Sequence, residues 1–144
     1  MTTIAYKAGV LAADSLSSYG DEREDTHAVK VLKSRDGRLI GICGDYAPTR
    51  NFAKALAAGS RLPDLVKDCG RVIEISVRGK IIIHEFGGSY PINERSCAWG
   101  SGSAVAKGVM FFGHSATDAV RAAIAVDKHT GGRVKSVSLD RRKK

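Results

Sequence analysis

Two short predicted strands, Val10–Asp14 and Ala28–Lys33, carry apolar side chains on both of their faces, and this pattern strongly limits the possible folds. Because successive strand residues point to opposite faces, a sheet built from such strands has to be covered on both sides. Each strand also places one charge, Asp14 or Lys30, in line with apolar neighbours. A lone buried charge costs several kcal/mol or changes its protonation state. We therefore predict an ion pair between Asp14 and Lys30, with exposed strand ends as the alternative.

Hairpins and helices follow one another along the rest of the chain. Turn residues between apolar runs predict hairpins, while helical periodicity with start and stop residues predicts helices. The predicted strands are Ile4–Tyr6, Val10–Asp14, Ala28–Lys33, Arg38–Cys43, 72–77, 80–86, Ser96–Trp99 and Arg133–Leu139. The predicted helices are 45–58, Leu62–Cys69, Ala104–Phe112 and one that begins at Ser115, and Ser15–Asp25 is predicted to be a loop.

Length and composition indicate a single globular domain, residues 1–140, followed by a basic tail at 141–144. No apolar run approaches the ~20 residues that cross a bilayer, and the first residues lack a signal-peptide pattern. We therefore expect a cytoplasmic protein without a membrane partner. Cys43, Cys69 and Cys97 are widely spaced and are expected to be reduced thiols.

The net charge of +8 raises the question of nucleic-acid binding. Four of these charges lie in the tail, and no aromatic residues interleave with the basic ones to form a stacking surface. A solvated basic tail is therefore the favoured interpretation, and a nucleic-acid partner is the disfavoured alternative.

Five short motifs occur in an order that resembles the proteasome β-subunits and the bacterial peptidase HslV, which are N-terminal nucleophile (Ntn) hydrolases. The motifs are TTIAYKAGVLAADS, VKV, GICGD, WGSGS and VDKHTGG, and the similarity extends from Thr2 to about Leu139. The resemblance implies an α+β fold, a four-layer α/β/β/α sandwich of two antiparallel sheets. It also implies a threonine-type endopeptidase that acts on polypeptides within a homo-oligomeric ring or double ring. An AAA+ unfoldase ATPase is the partner that such a ring suggests.

The resemblance assigns Thr2 as the catalytic nucleophile, exposed when Met1 is removed. A threonine hydroxyl needs a base to take its proton, and a free α-amine, with a pKa of roughly 7.7–8.0, is one recognised base for this purpose. Lys30, held in place by Asp14, is expected to lower the proton affinity of the Thr2 hydroxyl and amine. The backbone N–H of Gly44 is expected to face the developing oxyanion.

Three further residues match family positions around the terminal amine. The resemblance assigns Ser101 to proton transfer with that amine, and assigns Asp127 and Thr130 to hydrogen bonds around it. No cofactor is required. In some members of the family, backbone carbonyls at the end of the long helix hold a monovalent or divalent cation, and the matching positions here are Ile124, Asp127 and Thr130.

Two alternatives to the peptidase interpretation stay open at the level of sequence. Thr2 taken alone is an ordinary residue after an initiator methionine, and a catalytically silent subunit of the same fold would serve a structural or interaction role. The chain also departs from the family pattern, because Gly44-Asp45 replaces the usual glycine pair. The region between Gly44 and Arg71 is short for the family's two long helices, so ring size and ATPase partner stay open.

Overall fold

A four-stranded and a five-stranded antiparallel sheet form most of the structure, a computed structural model that describes residues 2–140. The strands are β1 Thr3–Lys7, β2 Val10–Ala13, β3 Ser17–Tyr19, β4 Glu22–Asp25, β5 Val31–Lys33, β6 Leu39–Gly44, β7 Gly70–Ile75, β8 Ile81–Glu85, β9 Gly88–Ile92, β10 Ser96–Gly100 and β11 Lys135–Ser138. The helices are α1 Tyr46–Ala58, α2 Ser103–Phe111 and α3 Ala116–Val126. The first sheet has the strand order β10-β1-β2-β11 and the second has β5-β6-β7-β8-β9, while β3 and β4 form a separate hairpin. The predicted α+β class is confirmed.

The central core lies between the two sheets. Ile4 and Leu11 of the first sheet pack with Leu39, Ile73 and Ile83 of the second, and none of these five side chains has exposed surface. Burying one such side chain stabilises a fold by about 1.5–3 kcal/mol, so this interface supplies a large share of the driving force for folding.

Helices cover the outer face of each sheet. Ala5 and Ala12 alternate along β1 and β2 with the core residues, and they pack against α2 and α3 in a cluster that includes Val120. On the second sheet, Phe52 of α1 packs in a cluster with Ile40 of β6. Each sheet is thus covered on both faces, as the apolar pattern of the strands predicts.

The ends of α1 and α3 agree with their sequence signals. Gly59 adopts a left-handed conformation with φ of +66° and ends α1. The Ser115 hydroxyl accepts a hydrogen bond from the Asp118 N–H at 3.1 Å and caps the start of α3. The N-terminus of α1 follows β6 directly, and Asp45 is its N-cap residue. Gly44 therefore lies at a strand-to-helix junction.

Two predicted elements are wrong. Leu62–Cys69 contains no helix. Leu65 and Cys69 are its only buried residues, so the segment has no continuous apolar face that a helix would bury. The predicted loop Ser15–Asp25 contains the hairpin of β3 and β4, which turns at Gly20 with φ of +59°. Its strands have no alternating apolar residues, so periodicity gave no signal for it.

Two strands also differ in extent or existence from the sequence prediction. The predicted strand Ala28–Lys33 is reduced to β5, and Val29, which was placed on an apolar face, is 49% exposed. Strand β9 was not predicted; it lies at an edge of the second sheet and contains Pro91, a residue that edge strands tolerate because they need fewer backbone donors.

The remaining sequence expectations concern the cysteines, membrane segments and the tail. Cys43, Cys69 and Cys97 are free thiols. Within residues 2–140, no helix has the length and apolar character needed to cross a membrane. Met1 and the basic tail 141–144 lie outside the described residues.

Candidate active site

Thr2 lies immediately before β1, and backbone contacts with β10 fix its main chain. The Thr2 carbonyl accepts a hydrogen bond from the Ser101 N–H at 2.9 Å, and Thr3 pairs with Gly100. A side chain at Gly100 would overlap the Thr2 carbonyl oxygen, so this close approach requires glycine. Thr2 is buried and lines a pocket of about 440 Å³, here named the threonine pocket. Other residues that line the threonine pocket are Leu16, Lys30, Ile42, Gly44 and Tyr46.

Asp14 and Lys30 form a buried ion pair beside this pocket. Lys30 Nζ lies 2.9 Å from Asp14 Oδ1, and the two side chains are 4% and 0% exposed. Lys30 Nζ also donates to the Leu16 carbonyl at 2.6 Å. The Asp14 carboxylate accepts further hydrogen bonds from the N–H groups of Thr3 and Gly131, each at 3.1 Å. The predicted pair is therefore present, and the alternative of two exposed strand ends is wrong.

The pocket favours a lysine that releases its proton more easily than usual. Burial lowers the pKa of Lys30, and the nearby Asp14 carboxylate opposes this shift only in part. Lys30 and Thr2 line the same pocket, so a positive charge near the Thr2 hydroxyl would stabilise its deprotonated form. Burial also raises the pKa of the neighbouring Cys43 thiol, which leaves that thiol protonated and a poor nucleophile near neutral pH.

Gly44 has a backbone conformation that another residue would adopt only with strain. Its φ is +116°, and a Cβ there would overlap the Cys69 carbonyl oxygen. N–H groups along a strand alternate between its two edges. Asp45 donates to Cys69 at 2.7 Å on the β7 side, whereas Ile42 donates to Lys30 at 2.9 Å on the β5 side. The Gly44 N–H therefore faces the side of β6 on which Lys30 lies, beyond the last residue pair between β5 and β6.

A second polar cluster surrounds Asp127, at the end of α3. Asp127 Oδ2 accepts hydrogen bonds from Ser101 Oγ and Thr130 Oγ1, both at 2.5 Å. Thr130 Oγ1 also lies 2.7 Å from Thr3 Oγ1, which accepts a hydrogen bond from the Gly102 N–H at 3.1 Å. The sequence prediction grouped Ser101, Asp127 and Thr130 by family resemblance, and the structure brings them into direct contact.

Thr3 is the site residue that the sequence analysis missed. Its side chain is fully buried, its N–H donates to Asp14 and its hydroxyl contacts Thr130. Thr3 thus connects the ion pair of Asp14 and Lys30 to the Asp127 cluster. A signal was available, because adjacent strand residues face opposite sides and a polar residue next to Thr2 therefore enters the layer beneath the helices.

Asp127 is held in its ionised form. Burial acts to raise its pKa, but the hydrogen bonds from Ser101 and Thr130 outweigh burial and keep the pKa below the usual range. An ionised Asp127 accepts a hydrogen bond from the Ser101 hydroxyl, which leaves the lone pairs of the Ser101 oxygen free to accept from another donor. The Ser101 N–H donates a hydrogen bond to the Thr2 carbonyl. Ser101 therefore both fixes the Thr2 main chain and carries the hydroxyl that binds Asp127.

The predicted residues therefore occupy two adjoining groups. Thr2, Lys30 and Gly44 line the threonine pocket, with Asp14 paired to Lys30. Ser101, Asp127 and Thr130 do not line that pocket and form the neighbouring hydrogen-bonded cluster.

The predicted cation site is only partly suited to a metal ion. Ile124 packs against the core beneath α2 and α3, and the Asp127 carbonyl already accepts the Thr130 N–H at 3.1 Å. One of the three predicted carbonyl ligands is therefore engaged in closing a turn. Among residues 2–140, no group of three His, Cys, Asp or Glu side chains is arranged to hold a metal ion.

A hydroxyl and a backbone N–H at one pocket can serve as the nucleophile and the oxyanion donor of an acyl transfer, and a buried ammonium group at the same pocket favours the ionised hydroxyl. No protein-family model matches this chain, and no curated protein matches it either.

Proposed function

We propose that this chain is a threonine-type endopeptidase of the proteasome β-subunit and HslV-like family of Ntn hydrolases. Thr2, exposed by removal of Met1, is its nucleophile, and its substrates are polypeptides. The observation that carries the proposal is that Thr2, Lys30 and Gly44 line one pocket, with the charge of Lys30 balanced by buried Asp14.

The proposed reaction starts with attack of Thr2 Oγ1 on a peptide carbonyl carbon. The free α-amine of Thr2 takes the hydroxyl proton, and the Gly44 N–H donates a hydrogen bond to the oxyanion that forms. The carbon–nitrogen bond then breaks, the amine of the leaving peptide takes up the proton, and an ester remains on Thr2. Water attacks this ester with the α-amine again acting as the base, which releases the second peptide and restores the hydroxyl.

Lys30 and the Asp127 cluster have supporting roles in this proposal. The ammonium group of Lys30 favours the alkoxide character that Thr2 Oγ1 develops during attack. The Ser101 hydroxyl donates a hydrogen bond to Asp127, and we infer that its oxygen accepts a hydrogen bond from the freed Thr2 amine and orients that amine. Thr130 fixes the Asp127 carboxylate, and Thr3 ties this cluster to Asp14.

The packing of the elements supports the family assignment. Two antiparallel sheets share a core, α1 packs on the outer side of one, and α2 and α3 pack on the outer side of the other. This order is the one expected for a four-layer α/β/β/α sandwich, which we propose as the fold. We further propose that the chain assembles into a homo-oligomeric ring with Thr2 facing an enclosed chamber, as the family resemblance implies.

A covalent-labelling experiment tests the proposed nucleophile. Peptide epoxyketones react with both the hydroxyl and the amine of an N-terminal threonine, so labelling requires both groups on one residue. We expect mass spectrometry to show loss of Met1 and one adduct per chain at Thr2. Thr2→Ala should abolish the adduct and peptide hydrolysis, whereas Thr2→Ser, which keeps a hydroxyl, should retain both at a reduced rate.

Two results would contradict the peptidase proposal in different ways. Retention of Met1 in the assembled protein would remove the base and rule out this mechanism. Loss of Met1 without labelling or hydrolysis, together with normal ring assembly, would instead favour the catalytically silent subunit.

A further inference from the structure

A second pocket adjoins the threonine pocket and has no role in the chemistry described above. Its volume is about 480 Å³, and we name it the tryptophan pocket. Among the residues that line it are Cys43, Gly44, Arg71, Trp99, Gly100 and Lys107. Trp99 is 6% exposed and packs in the core between the sheets, so the pocket has a fixed aromatic floor.

The tryptophan pocket lies next to the proposed nucleophile. Gly44 lines both pockets. Gly100, which lines the tryptophan pocket, approaches the Thr2 carbonyl so closely that a Cβ would overlap it. Residues of an extended peptide are spaced by about 3.3–3.6 Å, and their side chains alternate in direction. Because Gly44 lines both pockets, a peptide whose carbonyl oxygen binds the Gly44 N–H lies at the boundary between them, with a flanking side chain available to each pocket.

The two pockets differ in charge. Arg71 and Lys107 line the tryptophan pocket, and of the described residues none with a carboxylate lines it. Arg71 Nε lies 3.2 Å from Glu85 Oε2, so part of its charge is balanced from outside the pocket. Lys107 lies on the exposed surface of α2 and has no hydrogen-bond or ion-pair partner among residues 2–140. The threonine pocket, by contrast, contains Asp45 together with the balanced charge of Lys30.

We propose that the tryptophan pocket is a substrate subsite that binds an acidic side chain adjacent to the scissile peptide bond. Lys107 supplies the main attraction, and Arg71 adds a second cation at the same pocket. The inference rests on the proposed peptidase function, and it names a substrate class: peptides with Asp or Glu next to the bond that is cut.

Pairs of quenched fluorogenic peptides test this subsite. Each pair differs only in Glu or Gln at one of the two positions flanking the cleaved bond, which mass spectrometry of the products identifies. Exposed ion pairs contribute up to about 1 kcal/mol, or about fivefold in rate, so we expect a preference for Glu over Gln of about fivefold in kcat/KM at one position. At about 1 M salt, where the screening length is about 3 Å, the preference should largely disappear.

Charge-reversal variants assign the preference to the pocket. Lys107→Glu should remove or reverse the preference for Glu, and Arg71→Gln should weaken it. Lys54→Glu makes the same charge change on an exposed position of α1, away from both pockets, and should leave the preference unchanged. No preference for Glu at either position, or an equal loss in Lys107→Glu and Lys54→Glu, would overturn the subsite.

Failure of the proposed peptidase function can be distinguished from failure of the acidic subsite. If the wild-type chain hydrolyses none of the peptides, the proposed function is wrong, and fluorescence anisotropy with the same labelled peptides then decides the inference. Tighter binding of the Glu peptide that Lys107→Glu abolishes and Lys54→Glu preserves would support the subsite. Equal binding of the Glu and Gln peptides would refute it.

Discussion

The buried ion pair of Asp14 and Lys30 makes the substitution Asp14→Asn strongly destabilising. The Asp14 side chain has no exposed surface and accepts hydrogen bonds from Lys30, Thr3 and Gly131. Asparagine keeps the size but removes the negative charge, which leaves the Lys30 ammonium group buried without its counter-charge. Breaking a buried pair in this way costs about 3–5 kcal/mol. For a chain of this length we expect the melting temperature to fall by about 9–15 °C.

The dependence of this loss on pH provides a sharper test. Burial already lowers the pKa of Lys30, and loss of the Asp14 charge, which acts to raise it, lowers it further. A base whose pKa is lower in the folded state is stabilising above its unfolded pKa and loses that contribution as the pH falls through the folded pKa. Lys30 therefore binds fewer protons in folded Asp14→Asn than in the folded wild type, so the free energy of unfolding of the variant rises more steeply with pH. The difference in free energy of unfolding between wild type and Asp14→Asn should shrink as the pH rises from about 7 toward 10.

Urea unfolding at a series of pH values, at one protein concentration, measures this difference. Asp140→Asn is the matched control, because it removes the same charge from the pair of Lys33 and Asp140, whose side chains are 33% and 81% exposed. An exposed pair contributes about 0–1 kcal/mol. The double variant Asp14→Asn with Lys30→Met should be more stable than Asp14→Asn alone, because no uncompensated charge stays buried. An Asp14→Asn loss no larger than that of Asp140→Asn, or one that grows with pH, would refute the reasoning.

Two further substitutions test the backbone and the acid stability of the fold. Both Gly44 and Gly59 have positive φ, but only a Cβ at position 44 would meet a backbone carbonyl. In urea titrations, Gly44→Ala should therefore lower the free energy of unfolding by more than Gly59→Ala does. Equal losses would contradict this. Hydrogen bonds with His84 and then Arg38 hold the pKa of Glu74 below its usual range. This contribution is present above the unfolded pKa and is lost as the pH falls through the folded pKa. Thermal unfolding between about pH 6 and 3 should therefore show a shallower acid loss for Glu74→Gln than for the wild type, and parallel curves would contradict this.

The ion pair of Asp14 and Lys30 could be predicted because a charge buried among apolar residues is stable in few arrangements other than a pair with an opposite charge. Asp14 and Lys30 each stand in line with apolar residues of a predicted strand, and a buried charge needs a partner. The covered sheets follow from the same strands, since side chains on both faces require packing partners. These inferences depend on local sequence and on the cost of burying charge, so they did not need knowledge of how the strands are arranged.

The hairpin of β3 and β4 could not be predicted in the same way. Its residues are mostly polar and exposed, so no apolar alternation distinguishes these strands from a loop. Ser17 and Gly20 of this hairpin line the threonine pocket. The missing helix at Leu62–Cys69 has the opposite cause. Leu62 and Val66 are 42% and 63% exposed, whereas Leu65 and Cys69 are buried, so the apolar residues of this segment do not form one buried helical face.

The adjacent residues Thr2 and Thr3 show why the site could be only partly read from sequence. Strand alternation directs them to opposite sides of the first sheet: Thr2 lines the threonine pocket, and Thr3 contacts Thr130 and the Gly102 N–H beneath the helices. Periodicity predicts that the two side chains face opposite sides, but it does not identify the residues that Thr3 contacts, because Gly102 and Thr130 lie 99 and 127 positions further along the sequence. The arrangement makes the position of the proposed nucleophile depend on the packing of α3, since the Thr3 hydroxyl is held by the turn that ends that helix.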